Sequence, residues 1–283
     1  MTQADQMTPA GYAAGGLEIA MWLAGAWVLW RHALSPGRAA QRAARLAEWR
    51  LPAVDFAGYA CSGLVGSAAL SGIAGAATRH AHMAQDATTV LGSAVMEGGF
   101  LLGIAGFHLL YTRGRGAGAA GSDARLALRS GVATFLAALP LVIAVSYAWE
   151  YLLVRLGLPD EKQELVDILE KAGPGALRWW FIAVATVLVP LTEEIVFRAG
   201  LFRFMRTRFP RWAAIAGTSA LFGALHVAWS DRMAGLPTLA PLIVLAAVFC
   251  VAYERTGRIG TTVVAHALFN LNMIMLVLAG IGS

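Results

Sequence analysis

Eight apolar stretches, at residues 12–34, 54–78, 88–112, 126–149, 177–202, 211–230, 237–254 and 259–280, divide the chain. Each runs to about 20 residues, and a helix of that length crosses the roughly 30 Å of hydrocarbon in a bilayer. Lipid offers no hydrogen bonds, so a spanning segment must satisfy its own amides and carbonyls, as a helix does. Composition agrees, because 58% of the 283 residues are hydrophobic and 14% charged, against about 45–50% and 25% in a soluble domain. The sequence predicts an all-α, polytopic membrane protein of about eight transmembrane helices, folded as a single integral membrane domain over residues 1–283.

The stretch at 54–78 is the weakest by hydropathy. Its Gly63, Ser67, Ser71 and Gly75 recur every four residues, a ridge of small side chains on which helices pack closely. Basic residues support counting it as a span, since cytoplasmic loops collect Lys and Arg. Arg31, 38, 42, 45 and 50, then Arg113, 115, 125 and 129, then Arg198, 203, 206, 208 and 211, then Arg255 and 258 follow the first, third, fifth and seventh stretches. The long loop 150–176 on the other side is mostly acidic. This alternation needs all eight spans and predicts both termini outside the cytoplasm; the low Lys content beside abundant Ala, Gly and Arg suggests a bacterial inner membrane.

The net charge of +5 follows membrane sides and lacks interleaved stacking aromatics, so no nucleic acid partner is expected. Segment 35–52 opens with Ser35 and Pro36 and carries Arg38, Arg42 and Arg45 on one face. That pattern predicts an amphipathic helix lying along the membrane surface. Cys61 and Cys250 both fall inside spans and read as small packing residues. The first span lacks a preceding basic segment and is followed by arginines, so it reads as a retained helix.

Ionisable side chains inside spans are costly and usually face a cavity or a partner. They concentrate in the last four spans: Glu193, Glu194 and Arg198, then His226, then His266 with Asn270. Glu194 and Arg198 are four apart, share a helix face and can pair. Glu193 is turned by about 100° from Glu194 and is left free. Counted from the cytoplasmic span ends, Glu193, His226, His266 and Asn270 all fall near the bilayer midplane. A carboxylate deprived of water takes up a proton more readily, so Glu193 could draw one from a water that a neighbouring imidazole orients. The other imidazole and the amide could donate hydrogen bonds to the oxyanion formed when a peptide carbonyl is attacked.

Glu193-Glu194-xxx-Arg198, Phe222-xxx-His226 and His266-xxx-Asn270, in this order on successive helices, resemble the CAAX prenyl protease and bacteriocin-processing (CPBP, ABI) family of intramembrane endopeptidases. The resemblance covers about 177–280 and implies that this is the catalytic helix core. It implies that Glu193 is the general base, His226 its catalytic partner, His266 and Asn270 the oxyanion stabilisers, and Glu194 with Arg198 supporting. A membrane-anchored peptide or protein is then the expected substrate and the lipid bilayer the surrounding partner.

No cofactor is expected, although zinc held by Glu193, His226 and His266 is the alternative, since two His and a Glu can bind zinc with a water in the fourth position. Neither HExxH nor a second free carboxylate accompanies that set. Other functions open to the same residues are a proton-coupled transporter, although the two halves share no pattern, and a non-enzymatic immunity or scaffold protein. Glu97 reads as a helix-to-helix hydrogen-bonding residue, and His80, His82 and Asp86 as a solvated loop. Trp22, Trp27, Trp30, Trp149, Trp179 and Trp180 read as an aromatic belt.

Overall fold

A computed structural model describes residues 9–31, 46, 52–79, 84–111, 123–158, 175–227 and 235–279. The expectations for His80, His82, most of segment 35–52 and residues 159–174 of the acidic loop lie outside the described residues. Among those described there are eight helices and no strand: α1 (Pro9–Leu29), α2 (Ala53–Thr78), α3 (Gln85–Tyr111), α4 (Ala124–Arg155), α5 (Ala176–Arg206), α6 (Arg211–Leu225), α7 (Leu236–Thr256) and α8 (Ile259–Leu278). Six of them, α2, α3, α4, α5, α7 and α8, are long and apolar enough to cross a membrane. Their outer faces carry side chains such as Val54, Leu110 and Trp179, exposed by 74%, 88% and 71%, a surface that only lipid tolerates at this density. This is an all-α polytopic membrane protein.

The weak second stretch is a full helix of 26 residues. Its packing explains how so little hydropathy suffices. A Cβ placed on Gly66 would strike the carbonyl of Gly99, and one on Gly103 the carbonyl of Ser62. The α2 and α3 backbones therefore touch directly, with Ser62, Gly63, Gly66 and Ser67 against Gly99, Phe100 and Gly103, as small residues permit in lipid. The expected ridge holds for Gly63 and Ser67 but not beyond: Ser71 is exposed and Gly75 meets nothing within 4 Å. Cys61 likewise faces outward, whereas Cys250 is buried.

Around α4 the main core forms. Phe135, Ala138, Leu139 and Val142 pack on Leu245 and Phe249 of α7 and on Ala265 and Phe269 of α8. The helix starts where the Asp123 carboxylate accepts from the amides of Arg125 and Leu126, satisfying two N–H groups that have no partner in the first turn. It continues for 32 residues, about 48 Å, so it reaches past the expected 126–149. Trp149 ties α4 to the start of α7, its Nε1 donating to the carbonyl of Leu236 at 2.7 Å. Trp22 similarly donates to Glu18 within α1 at 2.9 Å.

The sixth span departs most from expectation. Instead of covering 211–230, α6 ends at Leu225 after 15 residues, about 22 Å, too short to cross. Its last turn stops beside the glutamates of α5, and this sets the position of His226.

Candidate active site

The helix that carries the acidic doublet is not a uniform α-helix. Val189 donates to the carbonyl of Val184, five residues back, making a π-turn over Val184–Leu188; a second π stretch covers Glu194–Phe202. In that wider register the carbonyl of Ala185 would be served by the amide of residue 190, and residue 190 is a proline with no N–H. Asn270 of α8 fills the gap: its Nδ2 donates to Ala185 at 2.8 Å. Between the two π stretches lies one ordinary turn, Val189–Glu193. The doublet sits at this junction, and π-turns are common at functional sites.

Glu194 points into the protein. Its side chain and that of Arg198 are both wholly buried, and Nη1 of Arg198 reaches Oε1 of Glu194 at 2.9 Å, as the four-residue spacing predicts. The guanidinium lies 4.6 Å from the Phe222 ring centre and 5.3 Å from that of Phe249, and its Nη2 faces the carbonyl of Ala246 at 3.5 Å. Aromatic faces and a carbonyl dipole thus replace water around a buried cation.

The same Glu194 oxygen takes a second bond that spacing alone does not reveal. Nδ1 of His266 lies 2.9 Å from Oε1 of Glu194. Only helix packing brings residue 266 to residue 194, so the link is legible in three dimensions alone. A carboxylate accepts, so this nitrogen carries the proton and the ring turns its Nε2 outward. That Nε2 is 3.7 Å from Oε2 of Glu193.

His226 is set by the end of α6. At a helix C-terminus the last carbonyls lack partners, and here the His226 amide bonds Gly223 at 3.1 Å, leaving the Phe222 carbonyl. Nδ1 of the His226 ring takes that carbonyl at 2.7 Å. A carbonyl only accepts, so again Nδ1 holds the proton and Nε2 faces Glu193, 3.4 Å from its Oε1. The two imidazoles, from α6 and α8, therefore present the same nitrogen to one carboxylate, each locked by a partner on its far side.

Access differs sharply across the cluster. The His226 and Glu193 side chains are 32% and 17% exposed, that of His266 6%, and those of Glu194 and Arg198 not at all. A reactant reaches Glu193 from the His226 side, while Glu194 and Arg198 form the sealed floor. Oε2 of Glu193 is buried and makes no hydrogen bond among the described residues.

Of the residues singled out in the sequence, Glu193, His226 and His266 converge, Glu194 and Arg198 pair behind them, and Asn270 lies one turn further along α8 at the π-turn. Two contributors were not anticipated. The Tyr59 hydroxyl of α2 donates to the carbonyl of Ile195 at 2.9 Å. Glu254 of α7, 2% exposed, accepts from Nε of Arg206 at 2.7 Å and Nε of Arg211 at 2.5 Å, fixing the turn between α5 and α6. Both arginines had counted only as loop charges. As for metal, no group of three or more His, Cys, Asp or Glu among the described residues is arranged to hold an ion.

Comparison with curated proteins and with solved structures gives no match. Residues 175–272 match the family model described as Type II CAAX prenyl endopeptidase Rce1-like, so the region that carries both glutamates, both histidines and Asn270 is similar to that family.

Proposed function

We propose that this integral membrane protein is an intramembrane endopeptidase that hydrolyses a peptide bond of a membrane-associated peptide or protein. The observation that carries the reading is the Glu193 carboxylate facing Nε2 of both His226 and His266, at 3.4 and 3.7 Å, with both Nδ1 atoms already committed elsewhere. In this reading Glu193 takes a proton from water that His226 orients, and the hydroxide adds to the scissile carbonyl. Negative charge then develops on the carbonyl oxygen. Nε2 of His266, when protonated, and the amide hydrogen of Asn270 not spent on Ala185 stabilise it. Collapse of the tetrahedral species expels the amine, which leaves with the proton returned through Glu193 and His226. The buried Glu194 carboxylate accepts from Nδ1 of His266 whether or not Nε2 is protonated, and so holds the ring in one orientation throughout.

Comparison of protein termini in membranes carrying the wild type or Glu193→Gln tests this. A terminus present with wild type and absent with the variant is expected. Identical termini in both, with the wild type folded and expressed, would remove the proposal. We further place the protein in a bacterial inner membrane with both termini outside the cytoplasm, following its arginine distribution. Tags at either end should react with an impermeant reagent in spheroplasts; reaction only after lysis reverses the orientation.

A further inference from the structure

The family match begins at residue 175, which leaves α2 and α3 without an assigned part, yet the doublet is gripped from those helices on both sides. We propose that the α2–α3 pair braces Glu193 and Glu194, with Tyr59 as the positioning residue for the carboxylates. The idea rests on the proposed hydrolysis for its functional meaning, but the geometry stands apart from it.

The turn that ends in Glu193 packs against α3; the residue after the doublet, Ile195, is held at its carbonyl by the Tyr59 hydroxyl at 2.9 Å. Tyr59 is 3% exposed, and its approach is built into the sequence of α5. A Cβ at Gly200 would lie 2.7 Å from Cε1 of the Tyr59 ring and 3.0 Å from its hydroxyl, so only glycine lets the ring reach the helix. Phe107 and His108 of α3 sit edge-on to Tyr59 at 5.9 and 6.0 Å between ring centres. Phe56 stacks on Phe204 of α5 at 3.9 Å one helical turn earlier on α2. Because the Gly66 and Gly103 contacts join α2 and α3 backbone to backbone, the two grips move as one body.

A π stretch begins at Glu194, and its looser ladder leaves the backbone there less self-determined than an α-helix would be. The external bond at 195, with α3 packed on the turn before it, therefore decides where the carboxylates point. Since Glu194 sets the ring of His266, and Glu193 faces both rings, a displacement of the doublet must be felt at both imidazoles.

The test is nitrogen NMR of the full-length protein in nanodiscs with its six histidines labelled at the ring nitrogens, the His226 and His266 signals being assigned by substitution. Tyr59→Phe removes one hydroxyl and should shift the Nδ1 signal of His266 towards that of an unbonded N–H and perturb His226. Trp149→Phe, which removes another bond from a side chain to a backbone carbonyl, should leave both unchanged. Unchanged histidine signals in Tyr59→Phe, or equal shifts in Trp149→Phe, would overturn the brace. The readout needs no substrate, so it fails or succeeds independently of hydrolysis. If cleavage is established through Glu193→Gln, Tyr59→Phe should lower kcat by about ten- to a hundredfold with KM unchanged; an unchanged kcat would equally sink the brace.

Discussion

Replacing Arg198 by Met exposes how the sealed half of the site is held. Methionine fills most of the volume but leaves the Glu194 carboxylate, wholly buried, with His266 as its sole charged or polar partner among the bonds described. Removing one member of a buried ion pair costs about 3–5 kcal/mol, because the remaining charge keeps its desolvation penalty. Loss of the guanidinium from Phe222 and Phe249 adds roughly 0.5–2 kcal/mol. The expected sum, about 3.5–7 kcal/mol, is a large share of a typical folding free energy of about 5–15 kcal/mol. The double variant Glu194→Gln with Arg198→Met removes both charges while the glutamine carbonyl can still accept from Nδ1 of His266. It should recover at least half of the loss. Unfolding in mixed micelles, followed by tryptophan fluorescence, measures all three variants as a double-mutant cycle. A single Arg198→Met loss below about 1 kcal/mol would mean that Glu194 is hydrated and the floor is not sealed. Additive losses in the double variant would refute the pairing itself.

Two further outcomes follow from the π-turn and from the metal-free step proposed for Glu193. Asn270→Ala should cost about 1–3 kcal/mol by stranding the Ala185 carbonyl, and Pro190→Ala, which restores an N–H at the position the π register requires, should offset part of that loss; if Asn270→Ala leaves unfolding unchanged, its bond to Ala185 carries no weight. Cleavage, once a substrate is known, should persist after treatment with a strong zinc chelator; loss on chelation and recovery with added zinc would restore the metal alternative.

The sequence already contained six of the eight expected spans, because apolar length is one-dimensional. The Glu194–Arg198 pair was equally readable, since helical spacing alone places the two together. Where α6 ends was hidden: Val227, Ala228 and Trp229 continue the apolar pattern past Leu225, and hydropathy registers no stop when the helix ends inside the membrane. The bond from His266 to Glu194 joins residues 72 apart and depends on helix packing that no periodicity encodes. Pro190 was the one local sign of the π-turn, but its consequence, an amide from α8 at Ala185, needed the neighbouring helix. Glu18 escaped notice for the opposite reason. It is a lone carboxyl in an apolar first span, yet it is 8% exposed and accepts from Trp22 at 2.9 Å.

Cleavage by purified protein in nanodiscs, wild type beside Glu193→Gln, tests the central claim most directly, using the protein whose terminus distinguishes the two membranes. The account predicts equal unfolding profiles, hydrolysis by the wild type and loss of at least about a thousandfold in the variant, in line with removal of a general base together with the water it holds. Turnover by Glu193→Gln at a rate near wild type would contradict it.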